Sequence, residues 1–384
     1  MYQLKRISTA LAIIGLSTVG FMGHSIAATS SGSITNDSSN DFQRQNNQST
    51  VRTSQEVSPV TNGVSQKFTS DSETAVSLDK LLPVLKYNTD NLPTVANEVN
   101  NASWVEGAEI DRHLGTKLQA LLNWQHHGVG PVDGYWGVNT RKAMQAFQKE
   151  NGLNVTDTLN QETWQALTSD EDLMKQPALV NYQLTEADVN VKTTNIPAST
   201  EAKSKLDGMH YESSLEGLAE KFHMNEKYLK ALNSDARLTA GETITVYNPG
   251  NPNTKPVSRV VADKATETVY AYDDNDNLIA SYPATVGSTA TPSPTGKHTV
   301  EVMVHEPNYT YTDDDDSQYI IPPGPNNPVG SVWIGLSKPT YGIHGSPDPA
   351  RISRQASAGC VRLTNWDALA LLGVIEDDAT VEFR

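Results

Sequence analysis

The C-terminal third of the chain alternates short β-rich runs with clusters of Asp, Asn, Gly and Pro, and no other feature constrains the fold as strongly. Such runs are typical of strands, and the clusters between them are typical of turns. Strands are predicted at residues 258–262, 268–272, 278–286, 298–304, 332–336 and 380–383. One helix is predicted near the end, with Thr364 as its N-cap and Gly373 at its end. The pattern predicts a mostly-β domain over residues 256–384.

Apolar residues at helical spacing indicate a separate all-α domain over residues 105–168. Its second helix begins near Asn139 and Thr140, either of which could cap it, and ends at Asn151-Gly152. The three helices carry these apolar residues: Leu118, Leu121 and Leu122; Ala143, Met144 and Phe147; Trp164 and Leu167.

The residue order in this domain resembles that of the three-helix peptidoglycan-binding domain of cell-wall hydrolases. The resemblance is carried by Leu118-Gln119, Asp133-Gly134, Trp136-Gly137, Thr140, Ala143, Phe147-Gln148, Gly152-Leu153, Thr163 and Leu167. It implies a module that binds the cell wall.

A second small module is predicted at residues 205–248, after a polar linker at residues 169–204. Two short amphipathic helices precede a strand at residues 243–246, and an opening strand is expected at residues 209–211. The module is similar to LysM domains, which have a βααβ fold and bind glycan, at Leu215-Glu216-Gly217-Leu218-Ala219, Leu232-Asn233, Leu238 and Gly241. The alternative is a small structural spacer.

The N-terminus has the pattern of a cleaved export signal. Lys5 and Arg6 precede an apolar run, and Ser25-Ile26-Ala27 matches a small-x-small cleavage site, so residues 1–27 are predicted to be removed. The alternative is a membrane anchor, but the run is shorter than a spanning helix and contains Ser and Thr. Residues 28–104 are interpreted as a disordered tether with room for short helices. The predicted location is the periplasm, with no membrane insertion after cleavage.

The charge of −16 and the pI near 4.9 argue against a nucleic-acid partner or an anionic lipid surface, both of which favour clustered Lys and Arg. One cysteine is present, which excludes an intrachain disulfide and a cysteine-based metal cluster. His113, His126 and His127 lack the spacing of zinc ligands and are interpreted as surface residues. Neither a metal nor a cofactor is predicted.

Cys360 and His344 are a candidate nucleophile and its candidate base. A thiol is mostly protonated at neutral pH, so a nucleophilic cysteine needs a base or a cation nearby, and His344 precedes Cys360 by sixteen positions. Gly359 would let substrate approach the backbone, whose amides could hold an oxyanion. Arg362 adds a charge that could hold either a substrate carboxylate or a structural carbonyl. The alternative for a lone cysteine is a buried, inert side chain.

These residues lie in a pattern that closely resembles the catalytic signature of YkuD-type L,D-transpeptidases. The pattern is Tyr341-Gly342-Ile343-His344-Gly345-Ser346, a Pro-rich loop, and Ser357-x-Gly359-Cys360-Val361-Arg362-Leu363-x-Asn365-x-Asp367. The resemblance implies a β-sandwich in which Cys360 is the nucleophile and His344 the base. It also implies that Ser346 or Ser357 orients the histidine and that Gly345 and Gly359 shape the pocket. The chain has Ala358 where many members have histidine, and Asp348 is not included in the site.

The reaction implied by this resemblance is acyl transfer from a peptidoglycan tetrapeptide stem, through a Cys360 thioester, to an amine. A diaminopimelate acceptor would give a 3→3 crosslink, water would give carboxypeptidase activity, and a lysine of another protein would attach that protein to the wall. Residues 306–328 are predicted to form a lid that excludes water. The alternative function is a catalytically silent scaffold that binds peptidoglycan.

Overall fold

The C-terminal strands form one hydrogen-bonded sheet in the computed structural model. The structure describes residues 81–82, 84–287, 292–313, 316–354 and 359–384. The predicted signal segment, most of the predicted tether, Ser357 and Ala358 lie outside the described residues. The strands are β3 (Val257–Asp263), β4 (Thr268–Tyr272), β5 (Leu278–Pro283), β6 (Thr285–Val286), β7 (Gly296–His305), β10 (Val332–Leu336), β11 (Gly342–His344), β12 (Val361–Arg362) and β13 (Ile375–Phe383). Among the described residues, their order in the sheet is β5-β4-β3-β13-β7-β10-β11-β12-β6.

The long strand β7 joins the two parts of this sheet. Its N-terminal half pairs antiparallel with β13, and its C-terminal half pairs antiparallel with β10. The mostly-β prediction for this region is therefore confirmed, and β4 and β10 begin and end where the sequence predicted.

Helix α10 (Asn365–Leu372) packs apolar residues into the core of the β domain. The Thr364 side chain accepts a hydrogen bond from the Asp367 amide at 3.1 Å, which is the predicted N-cap, and Gly373 is the C-cap. The cap fixes the start of the helix directly after β12, which places Asn365 close to the residues that precede it.

The helical region contains α1 (Thr94–Asn100), α2 (Arg112–Trp124), α3 (Val138–Glu150), α4 (Gln161–Leu167) and α5 (Glu171–Lys175). The predicted side-chain cap of α3 is wrong, since its N-cap is Gly137 and Thr140 instead donates to the Tyr135 carbonyl. Part of the predicted tether is also ordered: Ala96 and Val99 are buried in the same core as α2.

The next module also differs from the prediction. The segment interpreted as a linker contains strand β1 (Leu179–Gln183) and the short helices α6 (Glu186–Val189) and α7 (Thr200–Ser204). Helices α8 (Ser214–Lys221) and α9 (Glu226–Leu232) and strand β2 (Thr243–Tyr247) follow. Strand β1 pairs antiparallel with β2, whereas residues 209–211 form no strand. The strand expected at residues 209–211 is therefore wrong, and β2 pairs with the earlier strand β1 instead.

The region predicted to be a lid contains a β-hairpin, formed by β8 (Tyr309–Thr312) and β9 (Gln318–Ile321). Tyr309 and Ile321 pack into a small core with Trp333 from β10. The hairpin is thus packed against the strand that leads into β11.

Hydrogen bonds between the modules hold the helical region against the β domain. The Gly128 amide donates to the Ser281 carbonyl at 2.8 Å. The interpretation of the histidines as surface residues is wrong for His127, which is fully buried between Ser281 Oγ at 2.9 Å and Glu150 Oε2 at 2.6 Å. No helix in the described part of the chain is long and apolar enough to cross a membrane.

Candidate active site

Parallel pairing of β11 with β12 brings the histidine and the cysteine of the sequence pattern to neighbouring strands. Ile343 is opposite Val361 and His344 is opposite Arg362. Cys360 immediately precedes β12, so its backbone lies beside the start of β11. The pairing of β12 with β6 on its other side fixes this edge of the sheet.

Backbone groups from the β10–β11 turn surround the thiol. The Cys360 thiol donates to the Thr340 carbonyl at a sulphur–oxygen distance of 3.5 Å. Thr340 has a φ of 69°, which is rare for a β-branched residue and marks a strained turn. Gly359 has a φ of 95°, and a Cβ there would lie 2.8 Å from the Tyr341 ring. A glycine is therefore required beside the thiol.

The His344 ring is buried and held in one orientation. Its Nδ1 donates to the Gly345 carbonyl at 2.7 Å, because a carbonyl oxygen can only accept. The ring also stacks on Trp333 with centroids 5.9 Å apart. With Nδ1 protonated, Nε2 is the ring nitrogen that can take up a proton, and the Val329 backbone is a further hydrogen-bond partner of the ring.

The serine that was expected to orient the histidine has other partners. Ser346 Oγ accepts from the Asp348 amide at 3.2 Å, so it organises the loop after the histidine. The Gly345 carbonyl orients the ring instead. Ser357 lies outside the described residues. The Asp348 carboxylate lies 3.8 Å from Arg351 Nε.

Burial keeps the cysteine and the histidine neutral. It raises the pKa of the Cys360 thiol to about 11, although the Gly342 amide and the Arg362 charge act in the opposite direction. Burial, helped by the Arg362 charge, lowers the pKa of His344 to about 3. At neutral pH the site therefore holds a protonated thiol and an unprotonated imidazole, which can act as a base.

Arg362 supplies a positive charge to the same site. Its side chain is half-buried, and its Nε is a buried atom without a hydrogen-bond partner in the described part of the chain. A buried donor without a partner is unfavourable unless a ligand or water satisfies it. The geometry therefore fits an acceptor group of a ligand beside Cys360.

An apolar wall closes one side of the site. Cys360 is packed against a small core whose members come from β7, β8, β9, β10 and the preceding module: Met209, Val304, Tyr309, Ile321, Val329 and Trp333. The hairpin thus contributes directly to the surroundings of the thiol.

Asn365 belongs to the site, although the sequence pattern gave it no role. Its side chain is fully buried, and its Oδ1 accepts from the backbone amides of Ser331 and Ser346, each at 3.1 Å. A Cβ at Gly345 would lie 2.2 Å from this oxygen. The only signal in the sequence is an asparagine directly after a helix N-cap and five residues after the cysteine.

A separate cavity of about 260 Å³ lies where the modules meet, and neither Cys360 nor His344 lines it. Glu220, His223, Trp366 and Asp367 are among its lining residues. In the described part of the chain, no three His, Cys, Asp or Glu side chains are grouped as they would be around a metal ion.

Two family models match the chain. The model of the L,D-transpeptidase catalytic domain, YkuD, matches residues 258–382, which contain Cys360, His344, Arg362 and Asn365. The model of a peptidoglycan binding domain matches residues 116–167, the region of α2 to α4.

Among curated proteins, the chain is similar to several that are named as L,D-transpeptidases. It is 29% identical to YkuD of Bacillus licheniformis over 171 residues, which are 44% of this chain and 92% of the relative. The identity to YkuD of Bacillus subtilis is 29% over 172 residues, with the same shares. It is 30% identical to YqjB of Bacillus subtilis over 132 residues, which are 33% of this chain and 68% of the relative.

Proposed function

The chain belongs to the L,D-transpeptidase family, and from that premise we propose that Cys360 and His344 carry out peptidoglycan acyl transfer in this protein. The protein is an enzyme of this type, and peptidoglycan is its substrate. The observation that carries the residue assignment is the pairing of β11 with β12: a buried, neutral imidazole lies on β11, and the only thiol of the chain immediately precedes β12.

In the first half of the reaction, Cys360 takes the acyl group. The thiol proton moves to His344 Nε2 as the sulphur attacks the carbonyl carbon at the L-centre of the third residue of a tetrapeptide stem. The C–N bond to the terminal D-alanine breaks, and the histidine returns the proton to the leaving amine. The product is a thioester at Cys360.

In the second half, an amine attacks the thioester, its proton passes to His344, and the thiolate leaves and recovers the proton as a thiol. The acceptor is a diaminopimelate side chain for a 3→3 crosslink or a lysine of another protein for wall attachment. Water as the acceptor releases a tripeptide stem, which is the carboxypeptidase side reaction.

The remaining polar groups have roles in binding. Arg362 Nε has no hydrogen-bond partner among the described residues and is suited to a substrate carboxylate, which forms strong charge-assisted hydrogen bonds with guanidinium groups. Backbone amides beside Cys360 stabilise the oxyanion, and the absence of a side chain at Gly359 leaves room for the substrate. The β8–β9 hairpin is the covering element that keeps water from the thioester.

The preceding modules bring the catalytic domain to the wall. Residues 105–168 form the peptidoglycan-binding domain. A LysM-like module, with β1 as its opening strand and β2 as its closing strand, begins near residue 178 and binds glycan. Residues 1–27 are an export signal, and the location is periplasmic.

The assay is mass spectrometry of muropeptides after incubating the full chain, or its Cys360→Ala variant, with purified diaminopimelate-type tetrapeptide fragments. Tripeptide-linked dimers with the intact protein alone are the expected result. Tripeptide monomers alone would assign hydrolysis or an absent protein acceptor. If neither protein forms product while both bind wall, the chain is the silent scaffold.

A further inference from the structure

Glu220, a residue of the module that precedes the catalytic domain, reaches the catalytic region through Asn365. Asn365 Nδ2 donates to both carboxylate oxygens of Glu220, at 3.0 and 3.2 Å. Glu220 lies near the end of α8, 145 residues before Asn365 in the chain. Tyr211 of the same module donates to this carboxylate at 3.1 Å. Side-chain hydrogen bonds of Glu220 therefore connect the preceding module to the catalytic domain.

The other end of the Asn365 carboxamide holds the peptide that orients the histidine. Asn365 Oδ1 accepts from the Ser346 amide, and the Gly345 carbonyl of the same peptide unit accepts from His344 Nδ1. The N–H and C=O of a trans peptide point in opposite directions. The hydrogen bonds consequently run in one line from the Asn365 oxygen, through this peptide, to the imidazole.

The complete chain of hydrogen bonds begins at the Glu220 carboxylate and ends at the His344 imidazole. Glu220 accepts from Asn365, Asn365 accepts from Ser346, and Gly345 accepts from His344. Hydrogen bonds in a chain polarise one another, and a charged acceptor at one end strengthens those that follow. A carboxylate bonded directly to a catalytic histidine holds its tautomer and stabilises its protonated form.

Resting this inference on the proposed function, we propose that Glu220 and Asn365 are positioning residues for His344, and that Glu220 acts as a remote carboxylate through two amide groups. The preceding module is then part of the catalytic apparatus as well as a wall-binding unit. Because both residues act through His344, the expected effect is on the acylation rate rather than on substrate binding.

Two variants of Glu220 separate the effect of its hydrogen bond to Asn365 from the effect of its charge. The amide side chain in E220Q still accepts from Asn365 but has no charge, whereas E220A removes the acceptor. We expect kcat to fall about threefold in E220Q and about tenfold or more in E220A, with KM within about twofold of the original. Assays are run at pH 8, because burial and the neighbouring Glu216 and Glu306 raise the pKa of Glu220 to about 7.

The chain provides a matched control on the same helix. Glu216 Oε1 accepts from Asn326 Nδ2 at 2.8 Å, which also joins α8 to the catalytic domain but does not contact Asn365. The E216A variant tests whether any lost contact between the modules lowers kcat. Alkylation of Cys360 by iodoacetamide, which reacts with the thiolate and does not need His344 as a general base, tests whether a variant has altered the thiol itself.

An exchange of donor and acceptor tests the link directly. N365D keeps the acceptor for Ser346 but sets a second carboxylate against Glu220, so kcat should fall sharply. In the double variant E220Q/N365D, the amide introduced at position 220 can donate to the carboxylate introduced at position 365, and part of kcat should return. Acyl transfer is measured with the diaminopimelate-type tetrapeptide fragment.

The outcomes distinguish this inference from the proposed function. An inactive unmodified chain would overturn the proposed function itself. Activity in the unmodified chain, with E220A no slower than E216A, would overturn the role of Glu220. So would a loss of kcat that is matched by an equal loss of alkylation, or a double variant no faster than N365D.

Discussion

The strongest test of the site concerns the reactivity of Cys360 as a function of pH. Burial raises the thiol pKa to about 11 from its ordinary value of 9.0. At pH 7 roughly one molecule in 10,000 then holds a thiolate, against about one in 100 for a thiol with the ordinary pKa. Alkylation should therefore be about 100-fold slower than for an unburied thiol, and it should rise about tenfold per pH unit until about pH 10.

The assay is alkylation with iodoacetamide from about pH 6 to 11, followed by intact-protein mass spectrometry. Because the chain has one cysteine, each modified molecule reports Cys360 alone. Restricted access lowers the rate equally at every pH, so the midpoint is the measured quantity. Arg362→Met should move the midpoint upward, because the Arg362 charge lowers the thiol pKa, and Arg362→Lys should not. A rate that levels off below pH 8 would refute the reasoning and indicate a resting thiolate–imidazolium pair.

Three further predictions concern stability and activity. Gly345→Ala should lower the free energy of unfolding by about 2–4 kcal/mol and abolish acyl transfer, because its Cβ would lie 2.2 Å from Asn365 Oδ1; urea unfolding and activity like those of the unmodified chain would contradict this. Burial raises the pKa of Asp367 to about 7, so the folded protein keeps a proton that the unfolded chain releases, and this contribution is lost as pH rises toward 7. The free energy of unfolding of Asp367→Asn, measured relative to that of the unmodified chain, should therefore increase by about 2 kcal/mol between about pH 5.5 and 8. If urea unfolding gives the same difference between the two proteins at every pH, the assignment is contradicted. His127→Ala should lower the free energy of unfolding by about 2–3 kcal/mol, because it leaves the buried Ser281 hydroxyl without its partner; an unchanged melting temperature would show that the contact contributes little.

The strands of the catalytic domain could be predicted because their signals are local. In β4 and β10, β-branched and aromatic residues form runs bounded by turn residues, and the structure matches the predicted bounds. Helix α10 had a similarly local signal in its Thr364 cap. Patterns of this kind depend on a few adjacent residues and do not require knowledge of the partner strand.

The missed elements depend on partners that are distant in the chain. Strand β1 is a short run inside a polar segment, and it is stabilised by pairing with β2, which lies far along the chain. The burial of His127 depends on Ser281, which belongs to another module. Its polarity indicated a surface position, whereas two hydrogen-bond partners supplied by the fold satisfy it in the interior.

The candidate site shows the same division. Cys360 and His344 lie within a short motif, and the resemblance of that motif to the YkuD-type signature selected them as candidates. The orientation of the imidazole by a backbone carbonyl could not be read from residue types, because every residue has a carbonyl, and a nearby serine was selected instead. The contact between Asn365 and Glu220 depends on how two modules pack, which no local pattern encodes.

The burial of the site explains why a transferase would keep its thiol protonated. A buried thioester is protected from water, but the same loss of solvent raises the thiol pKa and lowers that of the imidazole. A neutral pair avoids two buried charges in the resting state, so proton transfer has to accompany attack on a bound carbonyl, where the oxyanion is stabilised. A base that works under these conditions needs stabilisation of its protonated form without a charge placed directly beside it. A carboxylate that acts through two amide groups, as proposed for Glu220, supplies that stabilisation without placing a negative charge beside the thiol.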